Sequence, residues 1–143
     1  MAAPETPILV FGPRSAAYDF GPAHPLTPRR FGPGIDLLRS LGAVPGLAPE
    51  PATDDELAAV HDRAYIAAVR ELSRAPLGEG WGIGSADVPA FAGMHEASAR
   101  IVAGTLAVAQ RVWRGEAEHG VNFTGGMHHA MRDRASGFCV YND

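Results

Sequence analysis

Ile8-Leu9-Val10-Phe11 is apolar at every position and stops at Gly12-Pro13. A half-solvated strand alternates apolar and polar residues, so a short unbroken run reads as a strand covered on both faces. Strands of that kind belong to parallel sheets, whose neighbours are joined by crossovers of about a dozen residues or more, usually helical. The chain contains the required parts. Phe91 to Arg114 has helical apolar spacing at Ala97, Ile101, Leu106, Val108 and Val112, with Gly115 to end it. Gly120 to Thr124 then reads as a second short strand. The order strand, helices, long helix, strand predicts an α/β domain with a parallel sheet.

Between these elements the turn residues set the boundaries. Residues 18–34 are crowded with proline and glycine and read as a loop. Pro33 suits a first helical turn, and the helix expected over Gly34 to Leu41 places Ile35, Leu38 and Leu41 at core spacing, with Gly42 as its C-cap. Val44 to Pro51 reads as a proline-rich connector. Thr53-Asp54-Asp55-Glu56 is a capping box that opens a short helix with Leu57 and Val60. His61-Asp62 marks a break, after which Tyr65, Ile66, Val69 and Leu72 restart the helical period. Pro76 to Pro89 has alternate glycines, but no Lys-Ser/Thr follows and no adjacent strand feeds it, which argues against a phosphate cradle. Gly93 and Gly104 lower the propensity of the long helix, so packing has to hold it.

A chain of 143 residues, 46% hydrophobic and 20% charged, suits one folded domain. Its net charge of −4 offers no basic footprint for nucleic acid. No apolar run approaches the ~18 residues of a membrane span. The start, MAAPETPILVF, lacks the cationic region and long apolar stretch of a secretory signal. A single cysteine rules out an internal disulfide and suits a reducing compartment, so the cytoplasm is the expected location.

The chemistry concentrates in Thr124–Asp143, TGGMHHAMRDRASGFCVYND. Two glycines lead into adjacent histidines, His128 and His129, directly after the strand expected at 120–124. Ligand sites in parallel sheets form outside the carboxyl ends of strands, and histidine is the side chain that titrates nearest neutral pH. The pair is therefore the candidate catalytic centre. Neighbours in an extended segment point to different sides, so the two imidazoles are expected to take different partners.

GGMHHAMRDRASGFCVYND closely resembles the signature of the zinc-dependent histone deacetylase family, including its bacterial acetoin utilization branch. HPLTPRRF (24–31), ELAAVHDRAYI (56–66) and ADVPAF (86–91) resemble further segments of that family in the same order. The resemblance covers the chain from Tyr18 onward. It implies an arginase/deacetylase-like three-layer α/β fold with a central parallel sheet, of which residues 1–143 would be the N-terminal part of a single domain. It also implies a metal-dependent amide hydrolase acting on acetyl-lysine or a related acetylated amine, in which zinc activates a water. His128 and His129 match the family's acid–base pair. Phe138 matches a wall of the acyl-lysine channel, Gly137 a point of close backbone approach, and Asp87 the rim aspartate that holds substrate amides. Arg30 resembles an arginine near the pocket floor, with a structural ion pair as the alternative. Cys139 lies beside the site and is expected to be a buried packing residue. His24 and His61 match structural positions, whereas His95 and His119 are expected to face solvent.

The resemblance places the zinc ligands and a transition-state tyrosine downstream of Asp143. No zinc ligand is assigned within this chain. Acetylated lysine in a protein, or a small acetylated amine, is the implied partner. A partial sheet would expose an open edge to which another chain could add. The alternative reading is a non-catalytic fragment acting as an interaction or regulatory module.

Overall fold

A computed structural model describes residues 7–143. Three short strands form one parallel sheet in the order β2-β1-β3: β1 (Ile8–Val10), β2 (Pro45–Leu47) and β3 (Gly120–Asn122). β1 pairs with β3 in the register Ile8↔Gly120, Leu9↔Val121 and Val10↔Asn122. The parallel order follows from the apolar run at β1, where Leu9 and Val10 are buried.

β2 lies inside the stretch read as a connector. Its pairing to β1 uses backbone groups, including Phe11 N–H to the Leu47 carbonyl at 3.1 Å. It stands at the sheet edge, where a proline costs no ladder bond. That is why Pro45 and Gly46 conceal a strand.

Five helical segments link the strands. A 3₁₀ turn (Pro28–Arg30), capped by Thr27, runs into α1 (Phe31–Ser40). α1 starts earlier than the expected Gly34, because Pro28 rather than Pro33 opens the helical turn. Only Phe31 and Ile35 are buried in α1, while Leu38 is half-buried and Leu41 is exposed. The helix packs through its first turns against Phe123, where a Cβ on Gly34 would lie 2.7 Å from the ring. Gly42 follows with φ +92°, the left-handed conformation a helix C-terminus favours.

α2 (Asp54–Leu57) carries the full capping box: Glu56 N–H donates to Thr53 Oγ1 and Thr53 N–H to Glu56 Oε2. Leu57 is buried and Val60 exposed. α3 (Arg63–Arg74) begins right after His61-Asp62 and buries Tyr65, Ile66 and Val69. α4 (Met94–Trp113) is the longest helix, entered through Gly93 at φ +76°. Its first half is buried and its last turn is exposed, so Val112 contributes no core surface. No helix is long and apolar enough to cross a membrane among the described residues.

His95, expected at the surface, is buried at 3% exposure. Its backbone N–H donates to Ser73 Oγ at 3.0 Å, and its Nδ1 lies 2.9 Å from the Tyr141 hydroxyl. Its position in the first turn of α4, beside Glu96, looks solvated in sequence, but α3 and the C-terminal loop cover it. His119 is exposed, as expected.

The main hydrophobic cluster is centred away from the sheet. It joins Tyr65, Ile66 and Val69 of α3 and Met94, Ala99, Ile101 and Val102 of α4 with Met127, Ala130, Ala135, Cys139, Val140 and Tyr141. The last six come from the histidine loop itself.

Candidate active site

β3 ends at Asn122, whose side-chain amide donates to the Ile101 carbonyl (2.8 Å) and Thr105 Oγ1 (3.0 Å) of α4. The chain turns there and passes through Gly125 and Gly126. A Cβ on Gly125 would lie 2.7 Å from the Asp143 carboxylate. That carboxylate accepts from Met127 N–H, Gly126 N–H and the Thr105 hydroxyl, tying the start of the loop to its end.

His128 and His129 occupy a turn, not an extended segment. Their rings therefore lie side by side, with centroids 4.2 Å apart and planes 39° apart, contrary to the divergent arrangement expected from sequence. Both are exposed. His128 Nδ1 is 2.8 Å from the Gly126 carbonyl. A carbonyl can only accept, so Nδ1 carries the proton, and in the neutral ring Nε2 is the acceptor.

Gly137 sits against His129. Its φ is +52°, and a Cβ there would be 2.7 Å from both Cβ and Cγ of His129. The close approach is thus between Gly137 and the pair. Phe138 follows at φ +68°, a conformation costly for a residue with a side chain. Two bonds over-determine it: its carbonyl accepts from the Tyr18 hydroxyl at 2.6 Å, and the same hydroxyl accepts from Val140 N–H at 3.1 Å. The Tyr65 hydroxyl donates to the Val140 carbonyl at 2.6 Å. Burial pushes the pKa of Tyr18 and of Tyr65 upward, so both stay protonated donors.

Asp87 is exposed, and its Oδ2 accepts from Gly137 N–H at 2.8 Å. Its carbonyl receives the Nε2–H of His24 at 3.1 Å, while His24 Nδ1 accepts from Leu26 N–H at 3.0 Å. The His24 ring lies edge-on to Phe138 with centroids 4.6 Å apart. Asp87, Gly137, Phe138 and the pair are therefore brought together.

Cys139 is buried, donates its thiol to the Gly137 carbonyl at 3.2 Å, and has its pKa raised by burial. Arg30 is not brought to the pair. It is exposed, and its guanidinium stands 5.2 Å over the Phe31 ring, at the surface and not at a pocket floor. The glycine-rich loop has a mechanical explanation. Trp81 carbonyl accepts from Ala135 N–H at 2.8 Å, and a Cβ on Gly82 would meet the Ala135 carbonyl, so glycine permits the loop to press on the motif.

Sequence reasoning assigned no site role to Tyr18, Tyr65, Asn142 or Asp143. A buried hydroxyl in a loop or helix carries no local sequence signal, because its partner is distant: Tyr18 and Phe138 are 120 residues apart. Asn142 and Asp143 stand within the motif, but their bonds follow only from the fold.

The family model for the histone deacetylase domain matches residues 24–143. The chain belongs to the histone deacetylase family. It is 41% identical over 143 residues to acetoin utilization protein AcuC of Bacillus subtilis, covering 95% of this chain and 37% of that protein. The Staphylococcus xylosus protein of the same name is 36% identical, covering 97% and 38%. The chain thus spans well under half the length of these relatives. Among solved structures, a histone deacetylase homologue complexed with SAHA superposes with a TM-score of 0.76 at 28% identity, over 96% of this chain and 39% of that one. The HDA15 HD domain superposes with a TM-score of 0.80 at 23% identity, over 96% and 40%, a likeness of fold. This histone deacetylase chain has the family's fold over the part it contains, as the sequence motifs implied.

Among the described residues no group of three or more His, Cys, Asp or Glu side chains is placed to hold a metal ion. The residues present do not form a zinc site by themselves, in keeping with the three protein ligands that catalytic zinc requires.

Proposed function

We propose that this chain contributes the proton-transfer half of a zinc-dependent deacetylase, an enzyme that hydrolyses the acetyl amide of acetyl-lysine or a related acetylated amine. The observation that carries this reading is the histidine pair: two imidazoles 4.2 Å apart, one with Nδ1–H bonded to the Gly126 carbonyl and Nε2 free. Nε2 of His128 is the nitrogen left to take a proton from an attacking water. His129, backed by Gly137, is the partner that returns a proton to the departing amine. Phe138 supplies an apolar wall for the lysine methylenes. Asp87 spends one oxygen on Gly137 and keeps the other for a substrate amide.

Zinc is part of this reading; when bound it would activate the attacking water. Deacetylation of an acetyl-lysine peptide by the full gene product, with zinc supplied, tests the proposal. His128→Ala combined with His129→Ala should abolish turnover; undiminished turnover would refute it.

A second reading is a non-catalytic module acting through surfaces of this partial fold. It is favoured for the isolated chain by the lack of a metal cluster among the described residues. One zinc bound per isolated chain together with peptide hydrolysis would reject it.

A further inference from the structure

The dipeptide that breaks the helical period, His61-Asp62, does more than separate α2 from α3. Asp62 N–H donates to the Arg132 carbonyl at 3.0 Å, and Arg132 Nε donates to Asp62 Oδ1 at 2.6 Å. His61 Nδ1 lies 3.2 Å from the same Arg132 carbonyl, and its Nε2 lies 3.0 Å from Asn142 N. The chemistry of these partners admits one protonation state. A carbonyl needs a donor at Nδ1, and an amide N–H needs an acceptor at Nε2, so the ring is neutral with its proton on Nδ1.

Asn142 carries the constraint onward. Its side-chain amide donates to the His128 carbonyl at 3.3 Å and to the Ala130 carbonyl at 3.0 Å. His61 therefore holds the residue that holds His128. We propose that His61 is a positioning residue for the histidine pair, clamping the middle of the histidine loop at Arg132 to its end at Asn142 as a neutral imidazole with a single tautomer. The inference rests on the reading of His128 and His129 as the proton-transfer centre.

The surroundings of His61 favour this state. The ring is 2% exposed and lies between Tyr65 and Tyr141, with centroids at 5.4 and 5.2 Å. Both tyrosines are kept protonated by burial, so neither offers a charge to an imidazolium. His95 lies on the far side of Tyr141 and is itself biased to neutrality by burial. The carboxylate nearby, Asp62, is engaged by Arg132. Desolvation lowers the His61 pKa, against an opposing pull from the Arg132 and Met131 carbonyls and Asp62. Protonation would turn Nε2 into a donor facing the Asn142 N–H. That contact would open, and Asn142 would release the His128 carbonyl.

The test uses nuclear magnetic resonance on the intact chain, wild type and two variants. In wild type, the Asn142 amide should move in step with the His61 ring as pH falls, with a midpoint below the ordinary histidine value of about 6.5. His61→Gln offers one donor and one acceptor and does not titrate. It should keep the His128 Nδ1–H tautomer at neutral pH and lose the acid step. His61→Phe keeps an aromatic ring without either bond, and should lose the tautomer preference already at neutral pH. Should His61→Phe fail to fold, wild type and His61→Gln decide between them. An Asn142 amide indifferent to His61 titration, or an Asn142 acid step that persists in His61→Gln, would overturn the proposal. In the full gene product, His61→Gln should retain kcat near neutral pH and shift the acid limb of the pH profile. Absence of hydrolysis in every variant would count against the deacetylase reading and leave the resonance result to judge His61 alone.

Discussion

The three-stranded sheet and the histidine loop reverse the usual relation between regularity and order. The sheet is regular, yet its strands are three residues each, and both β2 and β3 stand at edges with Val44 and Val121 exposed nearby. The loop from Thr124 to Asp143 contains no helix or named strand, yet Met127, Ala130, Ala135, Cys139, Val140 and Tyr141 are buried in the main core. Irregular buried backbone must find partners for its N–H and C=O groups. Here Tyr18, Tyr65, Asp87 and His61 provide them from distant parts of the chain, and Asn142 and Asp143 from the loop's own end. Among the described residues no buried side-chain nitrogen or oxygen lacks a partner. The loop is held by side chains, the sheet by its own backbone.

Substitutions that strike the clamps should therefore cost more than those at the sheet edge. The largest effect is expected for Tyr65→Ala, which removes a fully buried ring and the bond to Val140, at about 3–5 kcal/mol in a urea unfolding curve. Val121→Ala on the exposed face of β3 should stay within about 0.5 kcal/mol. Equal costs would erase the distinction. Tyr18→Phe keeps the ring but strips partners from the Phe138 carbonyl and Val140 N–H, at about 1–3 kcal/mol by thermal unfolding.

Glycines offer a finer comparison. Gly137→Ala meets His129 and requires a strained backbone, so it should destabilise by more than ~1 kcal/mol and displace the His129 ring signals. Gly46→Ala in β2 meets nothing within 4 Å and should be close to neutral. A graded effect follows from pH. Burial lowers the pKa of both His61 and His95, so the unfolded chain binds protons more readily than the folded one. Stability should be fully present above about 6.5, the unfolded histidine value, and be lost as pH falls through the depressed folded values. Urea midpoints at a series of pH values check this, and a midpoint that rises on acidification would contradict it. Breaking the exposed Arg63–Asp55 pair should also have a small effect, about 0–1 kcal/mol.

Local patterns were legible in sequence where local physics decides them. The Thr53 capping box, the break at His61-Asp62 and the strand at Ile8 each depend on residues within a few positions. Long-range features were not. β2 is made by backbone pairing and hides behind Pro45 and Gly46. His95 looks solvated until Tyr141, 46 residues away, is set against it. The histidine pair stands out within its motif, but its geometry does not, because the turn that brings the rings together is stabilised by bonds from Gly126 and Asn142.

The most direct test of this account is the tautomer of His128 in the isolated chain near neutral pH, read from its ring ¹⁵N shifts and couplings. A pinned loop gives, for the neutral form of the ring, the proton on Nδ1 bonded to the Gly126 carbonyl, preserved in Gly46→Ala and lost in Gly137→Ala. A ring protonated on Nε2, or one averaging between tautomers as in an unstructured peptide, would contradict it.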